Sequence, residues 1–390
     1  MESYLLDWLS LLLRWAHLVV GIAWIGASFY FIWLDNHLEK SVDPRVAGEL
    51  WAVHGGGFYR AEKFKVAPAR MPAKLHWFKW EAYWTWITGF FLLVLIYYAG
   101  AELYLIDASL MPLSKGAAIA IGVGSLIVGL AVYEGLCHSP LGENDAALGA
   151  VMFLLLAAAA WGLCQVFSGR GAFIHYGAVL GTIMVGNVVH IIIPGQRRMV
   201  EAMRAGRAPD PKDGIAGRQR SVHNTYFTLP VLFTMIASHY AFTFGGRWNW
   251  LVLVALTLAG ALIRVWFVMR HKGSAPAWPL VAGTGLICVL MLLFLPKTDD
   301  KAAPVKFEEI KRIVDARCLT CHAAKPAFQG LNEAPKGIVL DTPERIRAQA
   351  LQIHQQTVLA KAMPPGNLTG LTDGERALLD FWYRSGAKGD

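Results

Sequence analysis

The sequence predicts an all-α protein: a polytopic membrane helix bundle of about eight spans, followed by a small soluble all-α domain. Three observations carry this. Only 16% of the 390 residues are charged and 55% are hydrophobic, whereas a soluble domain has about 25% charged residues. Eight apolar stretches are each long enough to cross about 30 Å of hydrocarbon at about 20 residues per span. The composition then turns polar at Pro296–Pro304, in the segment KTDDKAAP, and stays mixed to the end of the chain.

The expected spans are 9–34, 78–99, 116–137, 146–167, 171–194, 222–244, 249–269 and 278–296, which sets the domains at 1–297 and 298–390. The opening MESYLLDW has no basic residue ahead of its apolar run, so it reads as a retained first helix and not a cleaved signal. The 15 tryptophans suit rings held at headgroup level.

Net charge is +8, but the basic residues sit in a few loops, which argues for membrane topology and anionic lipid contact and against nucleic acid. Loop 35–76 holds Lys40, Arg45, Arg60, Lys63, Lys65, Arg70 and Lys74. Loop 195–220 holds Arg197, Arg198, Arg204, Arg207, Lys212, Arg218 and Arg220, and Arg270 and Lys272 follow the seventh span. Lys115, Arg170 and Arg247 stand alone in the alternate loops. The positive-inside rule therefore turns both termini away from the cytoplasm.

Of the five cysteines, Cys137, Cys164 and Cys288 lie in or beside apolar runs and read as small hydrophobes. Cys318-Leu-Thr-Cys321-His322 is the C-x-x-C-H pattern of c-type haem attachment. Two thiols one helical turn apart reach the vinyl groups on one porphyrin edge, and His322 becomes the proximal iron ligand. Met363, in Ala362-Met363-Pro364-Pro365-Gly366, is the expected sixth ligand, with His354 as its competitor. Phe307, Ile310 and Val314 form one apolar face ahead of the motif. Thr372-Asp-Gly-Glu375 is a capping box opening a last helix, on which Leu378, Leu379 and Trp382 share a face. This tail resembles a class I cytochrome c. Its attachment chemistry independently places the C-terminus outside the cytoplasm.

The first large loop and the second span hold the most unusual stretch: His54-Gly-Gly-Gly-Phe-Tyr59, Glu62-Lys63, Met71-Pro72, and Leu75-His76-Trp77-Phe78-Lys79-Trp80-Glu81-Ala-Tyr83-Trp84-Thr85-Trp86. Successive glycines let backbone N–H groups converge on an anion, with Arg60, Lys63 and Lys65 adding positive charge. Trp77, Trp80 and Trp84 would stack on a flat ring, and Glu81 would accept a proton at the membrane edge. The competing reading is a flexible glycine loop with ordinary interfacial anchors.

The order of this loop, the eight-span plan and the CLTCH…MPPG tail together resemble the bacterial membrane-bound urate oxidases, or urate hydroxylases, which fuse an integral membrane domain to a C-terminal cytochrome c. The resemblance is strongest over 51–90 and 316–390. It implies oxidation of urate to 5-hydroxyisourate, with electrons passing to one covalent haem c. A soluble cytochrome c or a terminal oxidase would then take them, at the inner membrane, with the cytochrome domain in the periplasm. Glu81 and His54 are the candidate proton-transfer residues.

Urate bound near the cytoplasm would leave about 30 Å between it and the haem, so a relay is expected. His17, His175, His190, His223 and His239 are the candidates for a b-type haem or another relay; hydrogen-bonded core histidines are the alternative. Arg14, one turn before His17, would pair with a propionate. Two other functions fit the same sequence: an electron-transfer cytochrome subunit without its own substrate, and a haem-linked transporter or redox sensor.

Overall fold

The fold was analysed in a computed structural model that describes residues 2–271, 273–274, 276–294, 305–359 and 361–388. The expected domain boundary at 297/298 lies outside the described residues. The chain is mostly helical. It opens with α1 (Glu2–Asn36), and α2 (Trp80–Leu92) continues through a π-helical turn, Leu93–Tyr98. The short α3 (Ala101–Tyr104) leads to α4 (Lys115–His138) and α5 (Asp145–Val166). Then α6 (Gly169–Gly186) runs through a second π-helical turn, Asn187–Ile192, into α7 (Ile193–Arg204). The bundle closes with α8 (Pro211–Ala237), α9 (Asn249–His271) and α10 (Trp278–Leu293).

Each expected span overlaps one of these helices. Among the described residues, five stretches are long and apolar enough to cross a membrane: Tyr4–Asn36, Lys115–His138, Asp145–Val166, Gly169–Arg204 and Asn249–Arg270. The other three differ for stated reasons. The regular part of α2 and all of α10 are short. The sixth expected span, 222–244, is displaced, because α8 starts at Pro211 and stops at Ala237. Its first turns carry Lys212, Arg218 and Arg220.

Local chemistry sets the helix starts. Ser114 accepts a hydrogen bond from the Ala117 amide, Asn144 from those of Ala146 and Ala147, Ser168 from that of Gly171, and Asp210 from that of Lys212. Each side chain satisfies an N–H that the helix leaves unpaired. The short links reverse the chain, so residues 37–79, 139–144 and 205–210 gather at one end of the bundle. Residues 99–114, 167–168 and 238–248 gather at the other. Phe31 meets Phe78, with ring centroids 4.9 Å apart, while His17 meets Thr85 and Thr88; α1 and α2 are therefore antiparallel. The core is built mainly on α6, where Phe173, Tyr176, Leu180 and Ile183 are buried.

One element departs from the all-α expectation. Residues 37–79 are not a loose loop: β1 (Val46–His54) pairs antiparallel with β2 (Gly57–Phe64), in the register Ala52 to Tyr59 and His54 to Gly57. The turn is Gly55-Gly56, with φ of +58° and +81°. Two consecutive left-handed residues form the tight connection whose twist matches a hairpin. The glycine run is thus explained by the turn.

The C-terminal module comprises α11 (Phe307–Arg317), α12 (Leu319–His322), α13 (Pro343–Ala348), α14 (Ala350–Ile353), a π-helical turn over His354–Leu359, and α15 (Asp373–Arg384). Phe307, Ile310, Val314, Leu379 and Trp382 are buried together. The Thr372–Glu375 capping box forms in both directions.

Candidate functional site

Two places concentrate chemistry: the C-x-x-C-H module, and the interior of the bundle between α1, α2, α6 and α8. In the module, the amides of Cys321 and His322 donate to the Cys318 carbonyl over 3.1 and 2.9 Å, a single turn that sets both thiols near His322. Nδ1 of His322 lies 2.8 Å from the Ile338 carbonyl. A carbonyl only accepts, so Nδ1 carries the proton and Nε2 is left with its lone pair, as a metal-ligating histidine requires. Cys318 and Cys321 are free thiols. Burial pushes Cys318 up to about 12 and Cys321 in the same direction, so both sulfurs keep their protons.

Met363 is half-buried on the loop before α15, and Arg376 donates to its carbonyl over 3.1 Å. His354 is engaged elsewhere: its Nε2 lies 2.7 Å from Asp380, and its ring stacks on Tyr383. The donor set of Cys318, Cys321, His322 and Met363 suits a covalent haem. Arg317 braces the motif from behind, bonding Glu375 at 3.1 Å and the Thr369 carbonyl at 2.7 Å.

The module touches the bundle at the end away from the hairpin. The Ile106 carbonyl occupies the place that a side chain at Gly366 would take, and Gly366 has φ +54°. Only glycine permits both the conformation and the approach.

The bundle interior holds a cavity of about 520 Å³. Its lining includes Arg14 and His17 from α1, Tyr97 beyond α2, Arg170 at the start of α6, and His239 just after α8. Trp24, Trp86, Thr85 and Thr182 line its deeper part. Trp86 donates to Thr182 over 3.1 Å. Nδ1 of His17 lies 3.1 Å from both the Thr85 carbonyl and Thr88 Oγ1, and Nε2 has no hydrogen-bond partner among the described residues.

The other three expected relay histidines do not share this cavity. His175 is fully buried, held by the Gly171 carbonyl at 2.8 Å and the Tyr98 hydroxyl at 3.2 Å. His223 is 2.8 Å from the Tyr133 hydroxyl. It belongs to a polar network in which Asn187 donates to Tyr133 and Asn224, and Arg220 to Glu134. His190 is exposed. His175 and His190 on the fifth expected span, and His223 and His239 on the sixth, therefore split between separate places, because helix rotation turns them in different directions.

In the 51–90 stretch, Arg60 pairs with Glu49 at 2.8 Å and Glu62 at 2.7 Å, and Lys63 pairs with Asp35. Arg60 and Ser41 in turn hold the Glu49 carboxyl below its usual range. Two cations of the expected anion cradle are thus already paired, Arg60 within the hairpin and Lys63 with α1. Trp80 and Trp84 are exposed, while Trp77, like Trp24 and Trp86, packs against the buried cluster of Ala82, Val185, Val188 and Ile193. His54 stands exposed at the hairpin, and no hydrogen bond or ion pair joins it to Glu81. Glu81 differs: its Oε2 is buried without a partner. Arg264, which the sequence reading passed over, is 5% exposed. Its guanidinium lies 4.1 Å from the Phe29 ring centroid, with Nε and Nη2 buried and unpartnered. The available signal was an arginine inside an apolar span, where a charge is functional by default. Both groups lie in the half of the bundle nearer the hairpin.

The fold and the site define a mostly helical, apolar-rich protein with an internal cavity and a C-x-x-C-H module packed on one end. Residues 3–295 match the family model described as urate oxidase N-terminal, and the chain belongs to that family. It is therefore related to urate oxidases and linked to urate-directed oxidoreductase chemistry. No curated protein and no solved structure matches the chain.

Proposed function

We propose that the protein is a membrane-bound urate oxidase of the hydroxylating type. On this reading eight helices span the bacterial inner membrane, the hairpin faces the cytoplasm, and the cytochrome module faces the periplasm. In the reaction, water adds to C5 of the urate anion. One C–O bond forms, one O–H bond breaks, and one proton and two electrons leave to give 5-hydroxyisourate. A haem bound at Cys318, Cys321, His322 and Met363 supplies a one-electron acceptor, discharged by a soluble c-type cytochrome or a terminal oxidase.

The observation that carries this reading is the direct packing of the Met363–Gly366 loop on Ile106 in a bundle of the urate oxidase family. The bundle's own residues supply the substrate chemistry. Buried Arg264 holds the flat anion through its unpartnered N–H groups, which otherwise carry an uncompensated charge. Glu81, with a buried and unpartnered Oε2, takes the proton lost as water adds. Trp24, Trp77 and Trp86 close an apolar wall beside it and exclude bulk water.

The test is anaerobic addition of urate to the purified full-length protein, following the α-band of the covalent haem. We expect reduction driven by urate, with 5-hydroxyisourate formed. Arg264→Gln should raise KM more than it lowers kcat, and Glu81→Gln should lower kcat with the haem spectrum unchanged. No reduction in fully haemylated protein sinks the assignment.

A further inference from the structure

We propose that the cavity between α1, α2, α6 and α8 holds a second, non-covalent tetrapyrrole, a b-type haem, with His17 and His239 as axial ligands and Arg14 and Arg170 at its propionates. The electron accounting behind it rests on the urate reading above; the geometry does not.

The ligand argument starts with His17. Its Nδ1 proton is committed to the Thr85 carbonyl. Thr88 Oγ1 also faces Nδ1, while its own hydroxyl proton goes to the Trp84 carbonyl at 2.6 Å. The unprotonated nitrogen is therefore Nε2, on a ring that lines the cavity. This is the arrangement His322 shows in the module, where a carbonyl also fixes the tautomer. The His17 ring is tightly placed: a Cβ on Gly89 would stand 2.9 Å from its Cε1. His239 lines the same cavity from the end of α8, and its ring makes no hydrogen bond among the described residues.

Charge and shape fit the same ligand. The lining is overwhelmingly apolar, with cations confined to the module end. A porphyrin is likewise an apolar plate with two carboxylates on one edge. Arg170 Nε donates to the Tyr97 hydroxyl over 3.1 Å and keeps its other N–H groups for a carboxylate. The volume of about 520 Å³ falls in the range of about 300–1,000 Å³ typical of cofactor sites. Among the described residues no cluster of three or more His, Cys, Asp or Glu exists to hold a bare metal ion. A haem iron brings four ring nitrogens and needs only the two histidines.

The urate reading gives such a group a role. Urate oxidation releases two electrons, and the covalent haem accepts one. A second ferric iron inside the bundle takes the other in its reduction to the ferrous state, and both are reoxidised singly by the external cytochrome. The route between the two groups is contiguous. Tyr97 lines the cavity and lies 6.3 Å from Tyr104. The Arg170 guanidinium lies 4.9 Å from the Tyr104 ring centroid. Two residues on, the Ile106 carbonyl touches Gly366 beside Met363.

The test is haem accounting on detergent-purified full-length protein. Acidified organic solvent removes non-covalent haem and leaves thioether-bound haem behind. We expect about one extractable b-type haem per chain besides the covalent one. His17→Ala should cut extractable haem at least fivefold with covalent haem unchanged. Gly181→Leu should do the same by filling the cavity: a side chain there meets nothing within 4 Å, so the helix tolerates it. His239→Ala should convert the extractable haem from low-spin to high-spin. The proposal is overturned by protein holding covalent haem alone, by extractable quinone in place of haem, or by variants that keep the full haem complement and spectrum. Urate that fails to reduce a protein loaded with both haems would refute the urate reading and leave this site standing.

Discussion

Gly366 offers a test of the proposed electron route out of the bundle, because Gly370 provides its internal control. Both residues are left-handed, with φ of +54° and +68°. A non-glycine residue in that conformation costs about 1–2 kcal/mol, and about 1 kcal/mol lowers the Tm of a 60–100-residue domain by about 4–8 °C. Gly366→Ala and Gly370→Ala should therefore destabilise the module alike. Their surroundings differ. A Cβ at 370 meets only the Arg317 guanidinium, at 3.8 Å, whereas a Cβ at 366 collides with the Ile106 carbonyl. Non-bonded heavy atoms rest about 3.5–4.0 Å apart, so Gly366→Ala must push the Met363 loop about 1 Å off the bundle. Misplacement of that size costs up to about a hundredfold in rate. Stopped-flow reduction of the covalent haem by urate, beside thermal melts read in the Soret region, should separate the two variants. Gly366→Ala should slow reduction at least about tenfold, and Gly370→Ala should leave it near the wild-type rate. Equal slowing in both, or none in Gly366→Ala with its module folded, would refute the docking route.

The module makes three further predictions. Trp382 is 1% exposed and donates to the Lys388 carbonyl, so Trp382→Ala should cost about 3–5 kcal/mol, measured by denaturant melts of the Soret signal. Met363→Ala should lower the haem potential, since thioether ligation raises it, while covalent attachment persists; redox titration with a pyridine haemochrome assay checks both. Burial pushes the Glu375 carboxyl up, but bonds from the Thr372 amide and Arg317 outweigh this and leave it below its ordinary value of 4.5. Its contribution to stability is therefore present above about pH 4.5 and fades as pH falls through the lower folded value. Glu375→Gln should flatten the acid limb of the stability profile in that window.

The apolar rods were legible because a span is written locally, as about 20 consecutive apolar residues. The turn that joins Cys318, Cys321 and His322 was legible because its spacing is local. The hairpin was missed although Gly55-Gly56 lies between two runs rich in Val, Phe and Tyr. Glu49, Arg60, Glu62 and Lys63 broke the apolar alternation that marks a strand. In the fold Arg60 neutralises Glu49 and Glu62, and Lys63 pairs with Asp35. That His17 and His239 line one cavity was beyond the sequence, since it depends on the rotation of helices far apart in the chain. His175 and His223 looked equivalent to them and proved to be hydrogen-bonded core residues. Arg264 was visible as an isolated charge in an apolar run, but its unpartnered state follows only from what α1 and α8 set around it.

The cavity has a consequence for biogenesis. Its walls include Arg14 and His17, which leave the ribosome early, and Thr228 to His239, which emerge only after more than half of the chain. No nascent fragment that ends before α8 can enclose a guest there, so a cofactor bound as proposed would be loaded late in assembly. The 307–388 segment, by contrast, carries every residue of its own attachment motif and core. The two halves can therefore ripen on separate schedules, and a cell short of one maturation pathway would accumulate chains complete at one end only.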